Sequence, residues 1–349
     1  MKIVTIVGAR PQFIKSATLS RHIAKYEHID EVVIHTGQHY DVSMSDLFFK
    51  QMDISKPKYH LGVSSTSHAK MTAEMIKKIE DVLIDEKPDL VLLYGDTNST
   101  LAGAITASKL HIKIAHIEAG LRSFDTSMPE EINRIITDRL SSYLFCPTDR
   151  AVENLKNEGF DSFDCSIIKS GDIMYDSVLY YKKFAKKPDI EISNDFIIAT
   201  IHRPENSDSS ENLKNIIDAL NHIGKSTQVI LPVHPRTKKQ LQSFDIKVDF
   251  DVIEPVGYFE MLWLLENCSR VVTDSGGLQK EAYFFQKPCI VLRNSTEWTE
   301  LLDIGCSVLV GQDRDRIVVA CETLKFSSDA TGLYGNGDAS EIIIKEILK

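Results

Sequence analysis

Residues 271–283 read VVTDSGGLQKEAY, where a run of strand-forming residues breaks at Ser275-Gly276-Gly277 and restarts at once as a helix. Two interpretations of this break are open. A tight turn explains the glycines, because glycine adopts backbone angles that other residues avoid. An anion site explains them too, since paired glycines let a ligand approach the main chain and a helix N-terminus points its unpaired N–H groups at that ligand.

Other loops that follow apolar runs carry cationic or histidine side chains. They contain Arg10 and Lys15 in GARPQFIK, His202 in TIHRPEN, and His234 and Arg236 in PVHPRT. A single histidine after a strand is usually structural. Loops of this chemistry in both halves of the chain favour a ligand that carries phosphate.

A second group of loops is acidic: Asp96 in YGDTNST, Glu118 in HIEAGLRS, and Glu130 and Glu131 in MPEEINR. Each has a structural alternative, because Asp96 could cap a helix that begins near Asn98 and Glu130 could lie in a helix first turn. Carboxylates beside a bound anion are unfavourable unless they transfer protons or hold a metal. The sequence has no H-E-x-x-H motif and no Cys/His cluster, so it favours proton transfer and predicts no metal site.

Short runs rich in Ile, Val and Leu alternate with longer amphipathic segments along the chain, a pattern typical of α/β architecture. Nearly continuous apolar runs suit parallel strands that are covered on both faces. The predicted strands are KIVTIVG, EVVIHTG, DLVLLYGD, KIAHIEAG, SYLFCPT, CSIIKSGD, DFIIATIH, QVILPVH, DVIEPV, RVVTDSGG, PCIVLR and CSVLVG. The loops described above follow these strands, where open α/β sheets bind their ligands.

A chain of 349 residues exceeds the size at which a single hydrophobic core usually stops growing. The charged segment YYKKFAKKPDIEISND lacks periodicity and is predicted to connect two domains. We therefore predict two doubly wound α/β domains facing a cleft, over residues 1–170 and 171–334.

The composition excludes several kinds of partner. Forty basic and fifty acidic residues give a formal net charge of −10, which argues against nucleic acid or an anionic membrane surface. No apolar run approaches the length of a membrane span. The six cysteines form no C-x-x-C pair, which favours free thiols in a reducing compartment, so we expect a cytoplasmic protein.

Together these motifs resemble those of the non-hydrolysing UDP-N-acetylglucosamine 2-epimerase family, in order and over nearly the whole chain. The resemblance is carried by GARPQFIK, TGQHYD, YGDTNSTLAGA, HIEAGLRS, PEEINR, HRPEN, VHPR and TDSGGLQKEA. It implies a GT-B-like pair of Rossmann-like domains, with a C-terminal helix at about 335–349 returning to the first domain. It also implies a homodimer that uses no cofactor and inverts C2 of a UDP-2-acetamido sugar by eliminating UDP to a 2-acetamidoglucal and re-adding it.

The resemblance further assigns roles to individual residues. Asp96, Glu118 and Glu130 would transfer protons at the sugar, and His202 would act at the diphosphate. The remaining residues would bind the substrate and its UDP part: Arg10, Lys15, Arg134, His234, Arg236, Ser275, Gly276, Gly277, Glu281 and Arg293.

Two positions depart from the pattern of the enzymes that act on UDP-N-acetylglucosamine, which carry Glu-Glu after Gly-Gly-x-Gln and TERPE further on. Here Lys280 stands in LQKEA and Trp298 in STEWTE, which looks more like the subgroup that acts on UDP-2,3-diacetamido-2,3-dideoxyglucuronate. Lys280 could face a uronate carboxylate or be a solvated helix residue. Both substrates stay open, as do a GT-B glycosyltransferase, a hydrolysing 2-epimerase and a non-catalytic UDP-sugar sensor.

Overall fold

The structure of the protein is a computed structural model that describes residues 1–38, 56–64, 67–327 and 332–349. The chain divides into two compact units, Met1–Ser177 with Gly332–Lys349, and Val178–Thr331. The first unit extends past residue 170 because Ile173 packs in its core and the Ser177 hydroxyl lies 2.8 Å from that of Thr18. The predicted limits of independently folding domains, at 170 and 335, stay a prediction.

One parallel sheet forms the centre of the described part of the first unit. Its strands are β1 (Lys2–Val7), β2 (Asp30–His35), β3 (Tyr59–His60), β4 (Leu90–Tyr94), β5 (Lys113–Ile117), β6 (Tyr143–Cys146) and β7 (Ser166–Lys169). The spatial order is β3-β2-β1-β4-β5-β6-β7, so the order reverses between β1 and β4. All residues of β4 are buried, as expected for a strand with helices on both faces of its sheet.

The second unit repeats this design. Its strands are β8 (Phe196–Thr200), β9 (Gln228–Pro232), β10 (Asp251–Ile253), β11 (Arg270–Thr273), β12 (Cys289–Val291) and β13 (Ser307–Leu309). They lie in the order β10-β9-β8-β11-β12-β13, all parallel, with the reversal between β8 and β11. The predicted α/β class with two Rossmann-like sheets is confirmed, and each predicted strand is present. Among the strands in the described residues, only the short β3 was missed, because two residues carry no periodic signal.

Helices cover both sheets. Those of the first unit are α1 (Arg10–Ile23), α2 (His68–Glu86), α3 (Asn98–Lys109), α4 (Pro129–Leu140) and α5 (Asp149–Asn157), and α6 (Ile173–Tyr181) crosses the limit between the units. The second unit has α7 (Pro204–Ser207), α8 (Ser210–Ile223), α9 (Pro235–Ser243), α10 (Tyr258–Asn267), α11 (Gly276–Phe284), α12 (Thr299–Asp303) and α13 (Arg314–Thr323). The last helix, α14 (Ala339–Ile347), belongs to the first unit.

The Asp176 side chain anchors α14. Its carboxylate accepts hydrogen bonds from the backbone N–H of Ala339 at 3.2 Å and of Ser340 at 2.8 Å. These N–H groups belong to the first turn of the helix, where a carboxylate is favoured. Ile343 and Ile344 then pack into the core of the first sheet, which explains why α14 belongs to this unit.

The six cysteines are free thiols. Burial raises the pKa of Cys268 and of Cys321 to about 12, which makes these thiols unreactive. Among the described residues, no helix combines the length and the apolar character needed to cross a membrane.

His35 makes the first unit sensitive to acid. The side chain is 2% exposed at the end of β2, and its ring stacks on that of Phe13 with the centroids 4.9 Å apart. Burial lowers the pKa of His35 from 6.5 to about 4, and the nearby His60 lowers it too. Between these pH values the unfolded chain binds a proton that the folded chain does not, so stability falls as the pH falls.

We expect His35→Phe to remove part of this loss of stability at acidic pH. The shift corresponds to about 3 kcal/mol in the free energy of unfolding, or about 2 kcal/mol after allowance for solvent screening. Urea unfolding at neutral pH and at about pH 4.5 measures the difference. His222→Gln, at an exposed position of α8, is the control. Its free energy of unfolding should decrease in acid as much as that of the wild type. If His35→Phe and the wild type lost equal stability in acid, His35 would not be the cause of the loss.

Candidate active site

Two turns at neighbouring strand ends bring Asp96 and Glu118 together in the first unit. Asp96 follows β4 and Glu118 follows β5, which are adjacent strands. Gly95 has a φ of +61°, and a Cβ at this position would lie 3.1 Å from the Glu118 carboxylate. Glu118 has a φ of 74°, which is unusual for a residue with a side chain. Its backbone N–H is held by a 3.1 Å hydrogen bond to the carbonyl oxygen of Phe145.

Each of these carboxylates has a cationic partner from a helix. Lys15 of α1 forms an ion pair with Glu118, and Arg134 of α4 forms one with Asp96. Lys15 is 7% exposed, Glu118 8% and Arg134 3%, so these charges are largely removed from water. Buried charges need such partners, and the pairs hold the carboxylates in fixed positions.

The other two carboxylates predicted to transfer protons, Glu118 and Glu130, act on Asp96. Burial raises the pKa of Asp96; Arg134 opposes this, and the negative charges of Glu118 and Glu130 add to the rise. A carboxyl group with a raised pKa is better suited to exchange protons near neutral pH. The structure thus brings Asp96, Glu118 and Glu130 within electrostatic range, together with Lys15 and Arg134.

The two glutamates at the start of α4 have different environments. Glu130 is exposed, whereas Glu131 is 1% exposed. The Glu131 carboxylate accepts 2.9 Å hydrogen bonds from the N–H groups of Ser123 and Phe124, and it pairs with Arg134. Glu131 therefore ties the loop before α4 to the Asp96 partner, a role that the sequence did not indicate.

The capping alternative for Asp96 is wrong. The N-cap of α3 is Thr97, whose hydroxyl accepts a 3.3 Å hydrogen bond from the N–H of Thr100. The Asp96 side chain points instead to Arg134.

In the second unit, the break in VVTDSGGLQKEAY is the start of α11. Ser275 is the N-cap, and its hydroxyl accepts a hydrogen bond from the N–H of Leu278. A Cβ on Gly276 would lie only 2.2 Å from the Glu297 carboxylate, whereas one on Gly277 would meet nothing within 4 Å. The glycine at 276 thus allows a carboxylate to approach the helix N-terminus, as expected of an anion-suited site.

Glu297 is held at this site by Arg293, which lies 2.9 Å away and is 4% exposed. Burial opposes the ionisation of Glu297, but the charges of Arg293 and Arg203 outweigh it and hold the pKa of Glu297 below its usual value. The Trp298 indole N–H donates a 2.9 Å hydrogen bond to the Gly276 carbonyl. The segment that contains Glu297 and Trp298 therefore lines the N-terminus of α11.

Asp274 orients His202. Its buried carboxylate lies 2.9 Å from His202 Nδ1 and accepts 3.0 Å hydrogen bonds from the backbone N–H groups of His202 and Arg203. Burial opposes its ionisation, but these hydrogen bonds and the His202 contact keep the pKa of Asp274 low. Since β8 and β11 are adjacent strands, His202 and Ser275 lie at neighbouring strand ends. Sequence reasoning missed Asp274, although it stands inside the TDSGG motif.

The other residues of the second unit that were predicted to bind the substrate differ in their contacts and burial. The His234 ring accepts a hydrogen bond from the N–H of Arg236 and lies 6.5 Å from that of His202. Arg236 forms an exposed ion pair with Asp208. Glu281 is partly buried in α11. In the first unit, Arg10 begins α1, and its side chain lies outside the described part of the structure, as does the second half of the TGQHYD motif.

Lys280 and Trp298, the two departures noted in the sequence, contact each other. Lys280 is 2% exposed, and its ammonium group lies 4.2 Å from the centroid of the Trp298 ring. The alternative that Lys280 is a solvated helix residue is therefore wrong. Among the residues that the structure describes, no group of three or more His, Cys, Asp or Glu side chains is arranged to hold a metal ion.

The fold and these sites define the class: an α/β enzyme of two Rossmann-like units, with a carboxylate cluster on one and an anion-suited helix N-terminus on the other. The sequence profile of the UDP-N-acetylglucosamine 2-epimerase family matches residues 21–348. The chain belongs to this family.

Individual relatives cover the full chain. The UDP-2,3-diacetamido-2,3-dideoxy-D-glucuronate 2-epimerase of Pseudomonas aeruginosa is 52% identical and covers 100% of both chains. The solved structure of Methanocaldococcus jannaschii UDP-GlcNAc 2-epimerase with UDP-GlcNAc and UDP has a TM-score of 0.90 at 41% identity, over 100% of this chain and 99% of that one. The Neisseria meningitidis UDP-GlcNAc 2-epimerase bound to UDP-GlcNAc has a TM-score of 0.88 at 31% identity, over 100% of both chains.

Proposed function

We propose that the protein inverts C2 of a UDP-2-acetamido sugar without hydrolysis, as in the conversion of UDP-N-acetylglucosamine to UDP-N-acetylmannosamine. The observation that carries this proposal is that Asp96 lies within electrostatic range of Glu118 and Glu130, with Asp96 held by Arg134 and Glu118 by Lys15. A protein that only binds a nucleotide sugar has no need of three such carboxylates.

The chemistry follows from the weak acidity of the C2 proton. Breaking the bond between C1 and the UDP oxygen places positive charge beside C2, and one carboxylate then removes the proton to leave a 2-acetamidoglucal. Re-addition of UDP with proton delivery to the opposite face completes the inversion. We assign these proton transfers to Asp96, Glu118 and Glu130, and the raised pKa of Asp96 supports such a role.

We assign the diphosphate to groups that can stabilise its negative charge as it leaves. These are Arg10, Lys15, Arg134, His202, Arg293 and the Ser275-Gly276-Gly277 N-terminus of α11. The N–H groups at the start of α11 and the orientation of His202 by Asp274 support this assignment. We propose that Glu281 binds the ribose hydroxyls and that His234 and Arg236 lie on the uridine side.

UDP-2,3-diacetamido-2,3-dideoxyglucuronate is the second candidate substrate, and the relative of that name at 52% identity favours it. A contact of Lys280 with the uronate carboxylate stays a prediction, since the structure places the Lys280 ammonium group 4.2 Å from the centroid of the Trp298 ring. This second candidate therefore rests on the similarity to that relative.

Proton NMR in heavy water with both nucleotide sugars tests the proposal. We expect deuterium at C2 of the substrate and its epimer, with little free sugar. A glycosyltransferase or a UDP-sugar sensor would introduce no deuterium, and free sugar as the main product would indicate a hydrolysing enzyme. Turnover of the uronate alone would assign the protein to the second substrate.

We further propose that the enzyme works in the cytoplasm as a homodimer. The free and mostly buried cysteines support a reducing compartment, and the family resemblance supports the dimer. Sedimentation of the purified protein in reducing buffer tests the oligomeric state.

A further inference from the structure

His116 lies in β5, two residues before Glu118, and is fully buried. Its Nε2 is 2.7 Å from the carbonyl oxygen of Gly95, and its Nδ1 is 2.6 Å from the Asp138 carboxylate. The mechanism proposed above does not use this residue. Nothing in the sequence singled it out, because a histidine inside an apolar strand resembles any other core residue.

Both neighbours of the imidazole accept hydrogen bonds. A carbonyl oxygen can only accept, and the second oxygen of Asp138 already accepts from Arg122 at 2.7 Å and from the Gly120 N–H at 3.2 Å. Burial opposes the ionisation of Asp138, but His116 and Arg122 outweigh it and hold the pKa of Asp138 below its usual value. Each ring nitrogen of His116 thus faces an oxygen that accepts hydrogen bonds, an arrangement that is fully satisfied when the ring carries a hydrogen on each nitrogen.

The charges of this network compensate one another. Arg122 donates to Asp138 and also binds Glu158, with Nε 2.6 Å from one carboxylate oxygen and Nη2 2.9 Å from the other. His116 and Arg122 thus face Asp138 and Glu158. Buried ion pairs of this kind impose a single geometry more than they add stability.

The network contacts both turns that carry the predicted proton-transfer residues, the turn at Asp96 and the turn at Glu118. The Gly95 carbonyl, which His116 holds, belongs to the peptide that leads into Asp96. The Gly95 N–H donates at 3.0 Å to the carbonyl of Ile117, the residue before Glu118. Through Asp138, the network also holds the N–H of Gly120, two residues after Glu118.

We propose that His116, braced by Asp138, is a positioning residue that sets the Asp96 and Glu118 turns for proton transfer. This inference rests on the proposed function, because it gives those two carboxylates their catalytic task. Misplacing a reacting group by about 1 Å costs on the order of 100-fold in rate. The effect should fall on kcat, since His116 contacts no residue assigned to UDP.

Two variants test the proposal. In His116→Gln, the amide can still donate to Gly95, but its oxygen then faces the Asp138 carboxylate. In the double variant with Asp138→Asn, the Asn N–H can face the Gln oxygen, and the Asn oxygen can keep the Arg122 and Gly120 hydrogen bonds. We expect kcat to fall about 100-fold in the single variant with KM within about threefold, and the double variant to regain about tenfold.

His222→Gln on the exposed surface of α8 is the matched control for kcat. A single variant with kcat within threefold of wild type would overturn the proposal. So would a folded double variant as slow as the single one, because a purely structural role predicts no rescue.

A second measurement does not depend on activity. In the wild-type protein labelled with ¹⁵N-histidine, His116 should show two protected ring N–H signals that disappear in His116→Gln or in a conservative replacement that folds. A single ring N–H signal would overturn the proposal. If the wild type turned over no UDP-sugar, the proposed function would fail, and this count of ring N–H signals would still decide the geometry at His116.

Discussion

Asp96→Asn is expected to lower kcat for C2 epimerisation by about 10³-fold, because an amide cannot take up or deliver the proton at neutral pH. The neutral side chain can still accept a hydrogen bond from Arg134, so the fold should be kept. UDP affinity should stay within about threefold, since Arg134 keeps a hydrogen-bond acceptor at this position and the groups assigned to UDP on α11 and at His202 are unchanged. The NMR assay and calorimetry with UDP measure the two quantities separately.

Asp81→Asn, on the exposed surface of α2, is the matched control and should retain wild-type turnover. If Asp96→Asn kept kcat within about tenfold of the wild type, proton transfer by Asp96 would be wrong. Loss of UDP affinity together with kcat would instead indicate that Asp96 acts on binding through Arg134, which we assign to the diphosphate.

Gly276→Ala should weaken UDP binding by about 10- to 100-fold. The new methyl group would lie 2.2 Å from the Glu297 carboxylate and 3.7 Å from the Trp298 indole nitrogen. Either Glu297 or the first turn of α11 must then move, and overpacking of this kind costs about 1–3 kcal/mol. The methyl group also covers the helix N–H groups that we assign to the diphosphate.

Gly277→Ala is the matched variant for stability, because its methyl group would meet nothing within 4 Å. Its melting temperature should equal or exceed that of the wild type, since alanine favours a helix more than glycine does. The melting temperature of Gly276→Ala should be lower than that of Gly277→Ala. Wild-type UDP affinity in Gly276→Ala would contradict the diphosphate assignment to the start of α11.

Some of the site could be predicted because its residues stand at fixed places relative to the strands. Asp96, Glu118 and Ser275 each follow a buried apolar run, and strand ends on one edge of a parallel sheet converge. The buried carboxylates that hold these turns through ion pairs and hydrogen bonds could not be predicted. Glu131 and Asp138 lie on a helix whose pattern does not show which carboxylate faces the sheet turns.

Lys280 shows that the sequence also does not reveal the contacts of a residue that could select the sugar substrate. Its departure from the Glu-Glu pattern left open a contact with a uronate carboxylate or a solvated position on the helix. The structure places its ammonium on the ring of Trp298, a residue of a separate loop. Whether a lysine faces ligand, solvent or an aromatic ring depends on the packing of segments that are distant in sequence.

The amino-acid sequence by itself determined the α/β class, the strands and the loops that carry chemistry, because apolar runs and glycine breaks are local signals. Only the tertiary structure decided which charges meet. Lys15 and Glu118 are separated by 103 residues, and His116 and Asp138 by 22, yet each pair shares a buried site. Burial forces every charge to find a partner, and the folded sheet order selects that partner from residues that no local pattern connects.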